Sequence, residues 1–390
     1  MSQTRAYLDH NATAPVLAAV RDGVERVLAM GGNPSSVHGE GRSARALIDR
    51  ARSQVADLVG ADPARVIFTS GGTEANVTAL APAHASAGAE EAHCFVSAVE
   101  HPSVVHGGRF SAESVSIVAV TGDGVVDCPR LRTDLAAFVA ARPGVPFLVS
   151  VMAANNETGV LQPVGEIASI AHEFGGNVHC DAVQAAGKIP LDMESLGVDM
   201  VSLSAHKIGG PQGVGALVLG CSLSHLSDPL ITGGGQEQRW RAGTENVPGI
   251  VGFGIAADAA RSRLERVSKV GDMRDRLESQ IKTIASGAVV FAQDVERLPN
   301  TTCFAMDGMA GENLVIAFDL AGVALSAGAA CSSGKVSRSH VLDAMGVDET
   351  TARAAIRVSL GDETSDQDIE LFVTAWRDIY GQFVARQQAA

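Results

Sequence analysis

The chain has 390 residues, of which 46% are hydrophobic and 19% are charged, and its formal net charge is −14 at pH 7. A chain of this length and apolar content can bury a large core, which excludes a disordered protein and a small module that depends on disulfides. With 30 Lys and Arg against 44 Asp and Glu and no basic stripe, nucleic acid and anionic membrane surfaces are excluded as primary partners.

Cysteine usage and hydropathy predict the compartment. No apolar run approaches the ~18 residues that span a membrane, and residues 1–16 lack the continuous apolar stretch of a secretory signal. The six cysteines are scattered, without a C-x-x-C pair, which indicates neither a disulfide framework nor a zinc site. We therefore expect a cytoplasmic protein with reduced thiols.

From residue 44 onward, helical and strand patterns alternate. A helix over 44–60 ends at Gly60, and short Val- and Ile-rich runs follow it, apolar on both faces as in strands buried in a parallel sheet. The predicted strands are 66–70, 94–98, 115–120, 147–152, 177–181, 199–204 and 214–219. This pattern predicts an α/β fold, a mostly parallel seven-stranded sheet with helices on both faces.

The alternation of predicted strands and helices ends at about residue 250. A long charged helix is predicted over roughly 254–285, followed by a smaller α+β region that continues to the C-terminus. We therefore predict a large domain over 16–255 and a small domain formed by 1–15 together with 256–390.

A glycine-rich turn separates the first strand from the helix predicted to begin near Thr73. The run SGGTEAN (70–76) combines free N–H groups at a helix N-terminus with a threonine hydroxyl, which suits a phosphate. The same run could equally be a glycine turn capped by Thr73, and the motif alone leaves both interpretations open.

Two ionisable residues come at the ends of predicted strands. Lys207 follows the strand 199–204, and Asp181 ends the strand 177–181, so both are expected at the carboxyl edge, where open α/β sheets bind ligands. A desolvated lysine can form a Schiff base with an aldehyde, and a carboxylate can hold a pyridinium nitrogen protonated. Taken alone, Lys207 could be a solvated loop residue. Lys207 and Asp181 together with the glycine-rich turn form a more specific pattern than any one of them alone.

Ten stretches of the chain resemble a known family. They run in family order from residue 7 to about 361: YLDHNATAPV, GNPSSVHGEGR, FTSGGTEAN, EHPSV, ANNETG, CDAVQAAGK, SLSAHKIGGPQGVGAL, GGGQEQRWRAGTENV, AGAACSSG and IRVSLG. The chain is similar to class V, fold-type I pyridoxal-phosphate enzymes, and among them to cysteine desulfurases of the NifS/IscS group. The resemblance implies a pyridoxal 5′-phosphate cofactor held covalently by Lys207.

The resemblance also implies roles for the residues around that cofactor. Its phosphate would be held by four residues of the same chain, Gly72, Thr73, Ser204 and His206, and by Thr244 of the neighbouring subunit in a homodimer. Asp181 would pair with the pyridine nitrogen and Gln184 with the phenolic oxygen, while His101 would stack on the ring and take part in proton transfer. Asn155 and Arg357 would hold the substrate carboxylate, with Asn155 also counted among the cofactor contacts.

Cys331 determines the reaction that the resemblance implies. It lies in a run of small residues, 325–334, that cannot fill a core and is typical of a loop. In the family this residue is the nucleophile, which takes sulfur from L-cysteine, leaves L-alanine and passes the persulfide to an acceptor, such as an iron–sulfur scaffold protein. Cys331 would then be a transient iron–sulfur ligand shared with that scaffold. The loop departs from the family pattern at Ala327, Ala329 and Arg338.

Three alternatives remain at this stage. The chain could be a selenocysteine lyase or another class V lyase or transaminase, although Cys331 favours the desulfurase. It could be a binding or scaffold protein that has lost chemistry, against which the intact Lys207, Asp181 and His101 argue. A thiol redox sensor that uses Cys331 without a cofactor would leave the phosphate-binding turn without a purpose.

Overall fold

A computed structural model describes residues 5–85, 91–223, 226–328 and 338–389. The strands are β1 (Ala6–Tyr7), β2 (Val66–Thr69), β3 (His93–Ser97), β4 (Val115–Val118), β5 (Phe147–Met152), β6 (Asn177–Asp181), β7 (Met200–Ser204), β8 (Gly215–Leu219), β9 (Val289–Val290), β10 (Thr301–Ala305), β11 (Val323–Ala324), β12 (Ser326–Ala327) and β13 (Ile356–Ser359).

The α-helices are α1 (Ala18–Met30), α2 (Gly39–Leu58), α3 (Gly72–Ala79), α4 (Pro82–Ala85), α5 (Pro102–Val105), α6 (Cys128–Ala141), α7 (Val164–Glu173), α8 (Met193–Leu196), α9 (Val247–Arg263), α10 (Val267–Ile284), α11 (Gly311–Leu320), α12 (His340–Ala344), α13 (Glu349–Arg353) and α14 (Asp366–Ala389). Short 3₁₀ turns occupy Pro63–Arg65, Ala112–Ser114, Ala205–Lys207, Gln236–Arg239 and Leu264–Arg266.

The central sheet has seven strands in the order β2-β8-β7-β6-β5-β3-β4, which confirms the predicted α/β fold. All seven predicted strands are present, each within two residues of its predicted ends. Every neighbouring pair is parallel except those of β8, which is antiparallel to both β2 and β7. The segment 205–214 between β7 and β8 is too short for the crossover that a parallel return requires.

The antiparallel strand β8 brings two functional segments together. Because β2 and β7 both run opposite to β8, their carboxyl ends lie at the same edge of the sheet. Thr69 and Ser204, the last residues of those strands, both pair with Gly215. A Cβ on Gly215 would lie 2.6 Å from the carbonyl carbon of Gly71, so this close approach of the glycine turn requires glycine.

The single charged helix predicted over 254–285 is two helices, α9 and α10, separated by the 3₁₀ turn Leu264–Arg266. Buried side chains of α9 up to Ala260 belong to the core beneath the large sheet. Those of α10, from Val270 onward, belong to a smaller core with Phe304 and Trp376. The domain division at residue 255 stays a prediction, and α9 spans that residue.

The smaller core surrounds a four-stranded antiparallel sheet in the order β12-β13-β10-β9. The N-terminal strand β1 pairs in parallel with β11, and Ala6 and Leu8 are completely buried in this core. The start of the chain is thereby held beside β13, which carries Arg357. Among the described helices, none is both long and apolar enough to cross a membrane.

Candidate active site

A cavity of about 450 Å³ opens at the carboxyl edge of the large sheet and is closed on one side by β12 and β13. It brings together nine of the residues singled out from the sequence: Gly72, Thr73, His101, Asp181, Gln184, Ser204, His206, Lys207 and Arg357. Strand ends and the turns after them supply eight of the nine, and β13 supplies Arg357.

One wall of the cavity can hold an anion. Helix α3 begins at Gly72, so the unpaired N–H groups of its first turn lie beside Ser204 and His206. A Cβ on Gly72 would lie 2.9 Å from Cγ2 of Val183, so glycine keeps the turn close to the segment after β6. Burial and the nearby Lys207 lower the pKa of His206 to about 4, which leaves its imidazole neutral at pH 7.

The amine of Lys207 is largely shielded from solvent, in the turn that follows β7. Its Nζ donates to the backbone oxygens of Asn11, at 2.6 Å, and Ala12, at 2.9 Å. Burial and, secondly, the Arg357 guanidinium lower the lysine pKa to about 8. A far larger share of neutral amine is therefore present at pH 7 than in an exposed lysine, which suits a nucleophile.

Asp181 is held by two donors at the end of β6. Its Oδ1 accepts from the backbone N–H of Val183 at 3.0 Å, and its Oδ2 accepts from Nδ2 of Asn76 at 2.7 Å. Asp181 is buried and lines the cavity. This carboxylate can therefore pair with a cationic group of a ligand that enters the cavity.

Asn76 continues the network from Asp181 to His101. The same Nδ2 donates to Oγ of Ser103 at 2.9 Å, which leaves the serine hydroxyl hydrogen to donate to Nδ1 of His101 at 2.8 Å. The backbone N–H of Ser103 also donates to that nitrogen, at 3.2 Å. Because Nδ1 accepts, the neutral ring carries its proton on Nε2. Burial is the first cause that lowers the pKa of His101 and favours the neutral ring.

Two hydrogen bonds from its terminal nitrogens fix the guanidinium of Arg357. Its Nη2 donates to Oδ1 of Asp9 at 2.8 Å and its Nη1 to the backbone oxygen of Asn156 at 2.9 Å. Its Nε is buried without a partner among the described residues. Since Arg357 lines the cavity, its remaining donors can bind a carboxylate there.

Two of the described residues with predicted roles, Asn155 and Thr244, do not line this cavity. The side chain of Asn155 is turned into its own loop, where Oδ1 accepts from the N–H groups of Glu157 and Thr158 at 2.9 Å. Thr244 lines a separate cavity of about 230 Å³ beside Ser70. Cys331, the predicted nucleophile and iron–sulfur ligand, lies outside the described residues, as does Ala329.

Several residues that hold the site together had no predicted role, among them Asp9, Asn11, Asn76 and Ser103. The signal was present, because each lies inside one of the stretches that carry the family resemblance. What the sequence did not give was their hydrogen-bond partners, which are distant in the chain. Two of the residues that depart from the family's loop pattern are described: Ala327 lines the cavity, and Arg338 forms an ion pair with Asp343.

Comparisons with known proteins show which family the whole chain resembles. Residues 6–372 match the family model described as aminotransferase class-V. The chain is 42% identical to a cysteine desulfurase of Cereibacter sphaeroides over 98% of this chain and 97% of that protein. It is 39% identical to a cysteine desulfurase of Klebsiella pneumoniae over 95% of this chain and 91% of that protein.

A solved structure is similar over the same extent. The X-ray structure of a NifS-like protein from Rickettsia africae ESF-5 superimposes with a TM-score of 0.86 at 34% sequence identity. The match covers 97% of this chain and 100% of that chain.

Proposed function

The chain belongs to the class-V aminotransferase family, and from that premise we propose that it is a pyridoxal-phosphate-dependent cysteine desulfurase. Its substrate is L-cysteine, and its products are L-alanine and a sulfur atom carried as a persulfide on Cys331. The observation that carries the proposal is the convergence of Lys207, Asp181 and His101 on one cavity that also contains an anion-binding wall. Cysteine desulfurases about 40% identical over nearly the whole chain support the same activity.

The residues of the cavity fit pyridoxal phosphate. Gly72 and the first turn of α3 form a cradle that a Cβ would fill, and Ser204 and His206 add donors for the phosphate. Lys207 supplies an amine of lowered pKa for covalent attachment to the aldehyde, and Asp181 supplies a carboxylate for the pyridine nitrogen. When bound, this cofactor supplies an electron sink that weakens bonds in the substrate amino acid.

The chain's own residues bind the substrate and move protons. Asp9 holds Arg357 in place, and the free N–H groups of Arg357 donate to the substrate carboxylate. His101 can take up a substrate proton at Nε2 in the tautomer that carries its own proton on Nδ1, and the Ser103 hydroxyl can turn to accept from that N–H. To make its predicted contact with cofactor and substrate, Asn155 would have to release the hydrogen bonds that hold its side chain in its own loop.

Cys331 acts on the substrate sulfur. The thiolate of Cys331 attacks that sulfur, an S–S bond forms as the C–S bond breaks, and the electron pair of the broken bond remains with the substrate carbon, which becomes the methyl carbon of L-alanine after protonation. The persulfide then passes to an acceptor, which we propose is an iron–sulfur scaffold protein that docks near Cys331. Cys331 would transiently ligate the nascent cluster on that scaffold. A relative in Dictyoglomus turgidum, 37% identical, is named cysteine desulfurase IscS.

We place the reaction in a homodimer in the cytoplasm. Thr244 lies outside the cavity of its own chain, which supports a role for this residue in the neighbouring subunit's phosphate site. A reducing compartment keeps the nucleophilic thiol available.

The test is a spectrum and an assay on the purified protein. We expect a visible band near ~410–420 nm, typical of a lysine-bound pyridoxal group, that changes when L-cysteine is added, with L-alanine and sulfide formed. Lys207→Ala should abolish the band and turnover, and Cys331→Ser should abolish sulfur release but keep the band. Cys221→Ser is the matched control, because Cys221 is an exposed free cysteine and should leave activity unchanged.

Two outcomes would contradict the proposal. If Cys331→Ser releases sulfur at the full rate, the protein is a different lyase of the family, and selenocysteine becomes the substrate to assay. If the purified protein binds no pyridoxal phosphate after reconstitution, the enzyme proposal fails.

A further inference from the structure

A second buried lysine lies beside the cavity. Lys188 comes four residues after Gln184, and its amine is desolvated. Its Nζ donates to Oε1 of Gln184 and to Oδ1 of Asn11, each at 2.7 Å. Burial is the main cause that lowers the pKa of this amine well below its usual value, and repulsion from Lys207 adds to it. The reaction proposed above gives Lys188 no role.

The two contacts of the Gln184 side chain fix the orientation of its amide. Oε1 accepts from Lys188, while Nε2 donates to the backbone oxygen of Asn11 at 2.9 Å. A backbone oxygen only accepts, so the amide cannot be reversed without placing two acceptors against each other. Since Gln184 lines the cavity, the second hydrogen on Nε2 is the one available to a ligand.

The role of Lys188 as donor does not depend on its charge. Oδ1 of Asn11 is an amide oxygen whose orientation is independently fixed, because Nδ2 of Asn11 donates to Oγ1 of Thr301 at 2.9 Å. Both partners of Lys188 are therefore acceptors, and even the neutral amine has two N–H groups to satisfy them. The arrangement persists whether Lys188 is protonated or neutral.

Asn11 connects this pair to the reactive lysine. Its backbone oxygen accepts from both Gln184 and Lys207, and its side-chain oxygen accepts from both Lys188 and Asn300, the latter at 3.1 Å. Three polar side chains of the large-sheet segments thus converge on one residue of the N-terminal segment. A change at Lys188 is transmitted through these bonds to the position of Gln184.

We propose that Lys188 is a positioning residue that holds the Gln184 amide with its nitrogen toward the cavity, so that this N–H donates to the phenolic oxygen of bound pyridoxal phosphate. The inference rests on the proposed function, because that function places the phenolic oxygen beside Gln184. A donor at this place stabilises the deprotonated oxygen. Loss of Lys188 removes one of the two contacts that hold the amide, so the phenolic oxygen keeps a less firmly placed donor.

The experiment follows the visible band of the reconstituted protein as a function of pH, together with the dissociation constant of the apo protein for pyridoxal phosphate. Lys188→Met removes both N–H groups at similar length and should raise the midpoint of the absorbance change by about one pH unit and weaken cofactor binding about tenfold, the typical effect of one hydrogen bond to an ionised group. Lys269→Met, at an exposed lysine, is the matched control and should change neither.

The Gln184→Ala background separates positioning from a direct charge effect. If Lys188 acts through Gln184, Lys188→Met in that background should add less than about 0.3 pH unit, because the group it positions is already gone. An equal shift in both backgrounds, or no shift in the single variant, overturns the proposal. Where thermal unfolding shows that Lys188→Met is not folded, Lys188→Leu, which also lacks any N–H group, is measured in the same two backgrounds and judged by the same criteria.

Failure of this inference is distinct from failure of the proposed function. A wild-type protein that binds pyridoxal phosphate and forms L-alanine, with Lys188→Met unshifted, overturns only the positioning role. A wild-type protein that does not bind pyridoxal phosphate overturns both.

Discussion

Lys207 and Arg357 both line the cavity, and we propose different roles for them; neighbours from other segments determine the environment of each side chain. Desolvation lowers the pKa of Lys207 and makes its amine reactive. The Asp9 carboxylate and the backbone oxygen of Asn156 hold the Arg357 guanidinium in place, while its other N–H groups stay free. The lowered pKa of Lys207 and the fixed geometry of Arg357 can each be tested by measurements on single residues.

Lys207 should react with amine reagents at a lower pH than an exposed lysine such as Lys269. With a pKa of about 8, its neutral fraction rises through that pH and not near the ordinary 10.5. Competitive labelling of the apo protein with acetic anhydride, read by mass spectrometry between pH 6 and 11, measures this midpoint for each lysine. The exposed Lys269 serves as the internal control. A midpoint above about 10 for Lys207 would show that its amine is not desolvated.

Arg357→Lys should impair substrate binding more than the chemical step. Lysine keeps the positive charge but not the planar fork that can hold Asp9 and a carboxylate together, so about 2 kcal/mol of binding should be lost. We expect KM for L-cysteine to rise about thirtyfold while kcat falls much less. Steady-state kinetics measure both constants, and Arg353→Lys on the exposed face of α13 is the control. An unchanged KM would remove Arg357 from the substrate site.

At the scale of elements, the segment Gln236–Arg239 is held in an unfavourable backbone conformation. Glu237, Gln238 and Arg239 have φ angles of 45°, 58° and 69°, a region that non-glycine residues rarely occupy. The Glu237 carboxylate anchors the segment. It accepts from both terminal nitrogens of Arg52 on α2, at 2.6 and 2.8 Å, and from the backbone N–H of Phe68 on β2 at 2.9 Å.

Glu237→Ala should therefore destabilise the fold strongly. It leaves the largely buried guanidinium of Arg52 without its partner, a loss of about 3–5 kcal/mol, and removes the contact that fixes the strained segment. Urea unfolding measures the change, with Glu265→Ala at an exposed position expected to stay within about 0.5 kcal/mol. A loss below about 1 kcal/mol for Glu237→Ala would mean that the anchor is not needed.

The elements that the sequence predicted are those with a local signal. The seven strands of the large sheet were found because each is a short, mostly apolar run, and all but the edge strand β4, where Ile117 is exposed, are almost completely buried. The direction of β8 was not predicted, although segment 205–214 is too short for a parallel return to β7. The break at Leu264–Arg266 was also missed, because those residues are good helix formers and nothing local ends α9 there.

At the scale of the whole molecule, the site depends on contacts between the two ends of the chain. Asp9 and Asn11 reach the cavity because β1 pairs with β11 and the segment after it meets Ser359 of β13. The sequence predicted Lys207 and Asp181 as site residues from residue type and position at strand ends, and Arg357 from the family resemblance. It could not assign Asp9 to Arg357, since their ion pair joins residues 348 positions apart without a local pattern.

The position of Thr244 leads to a prediction about assembly. Within one chain it lines a cavity separate from the one that contains Lys207. If Thr244 completes the phosphate site of a neighbouring subunit, each site of a two-fold dimer combines residues from both chains. Two variants should then each be inactive, Lys207→Ala for lack of the reactive amine and Thr244→Asp because a carboxylate repels the phosphate.

Mixing the two variants should restore activity. A Lys207→Ala chain paired with a Thr244→Asp chain contains one site with intact Lys207 and, from its partner, intact Thr244. Random pairing at equal amounts makes half of the dimers mixed, with one intact site of two, so alanine formation should recover to about a quarter of the wild-type rate. Sedimentation verifies the dimer and the mixing. If Thr244 instead serves its own chain, both sites of a mixed dimer are defective and no activity returns.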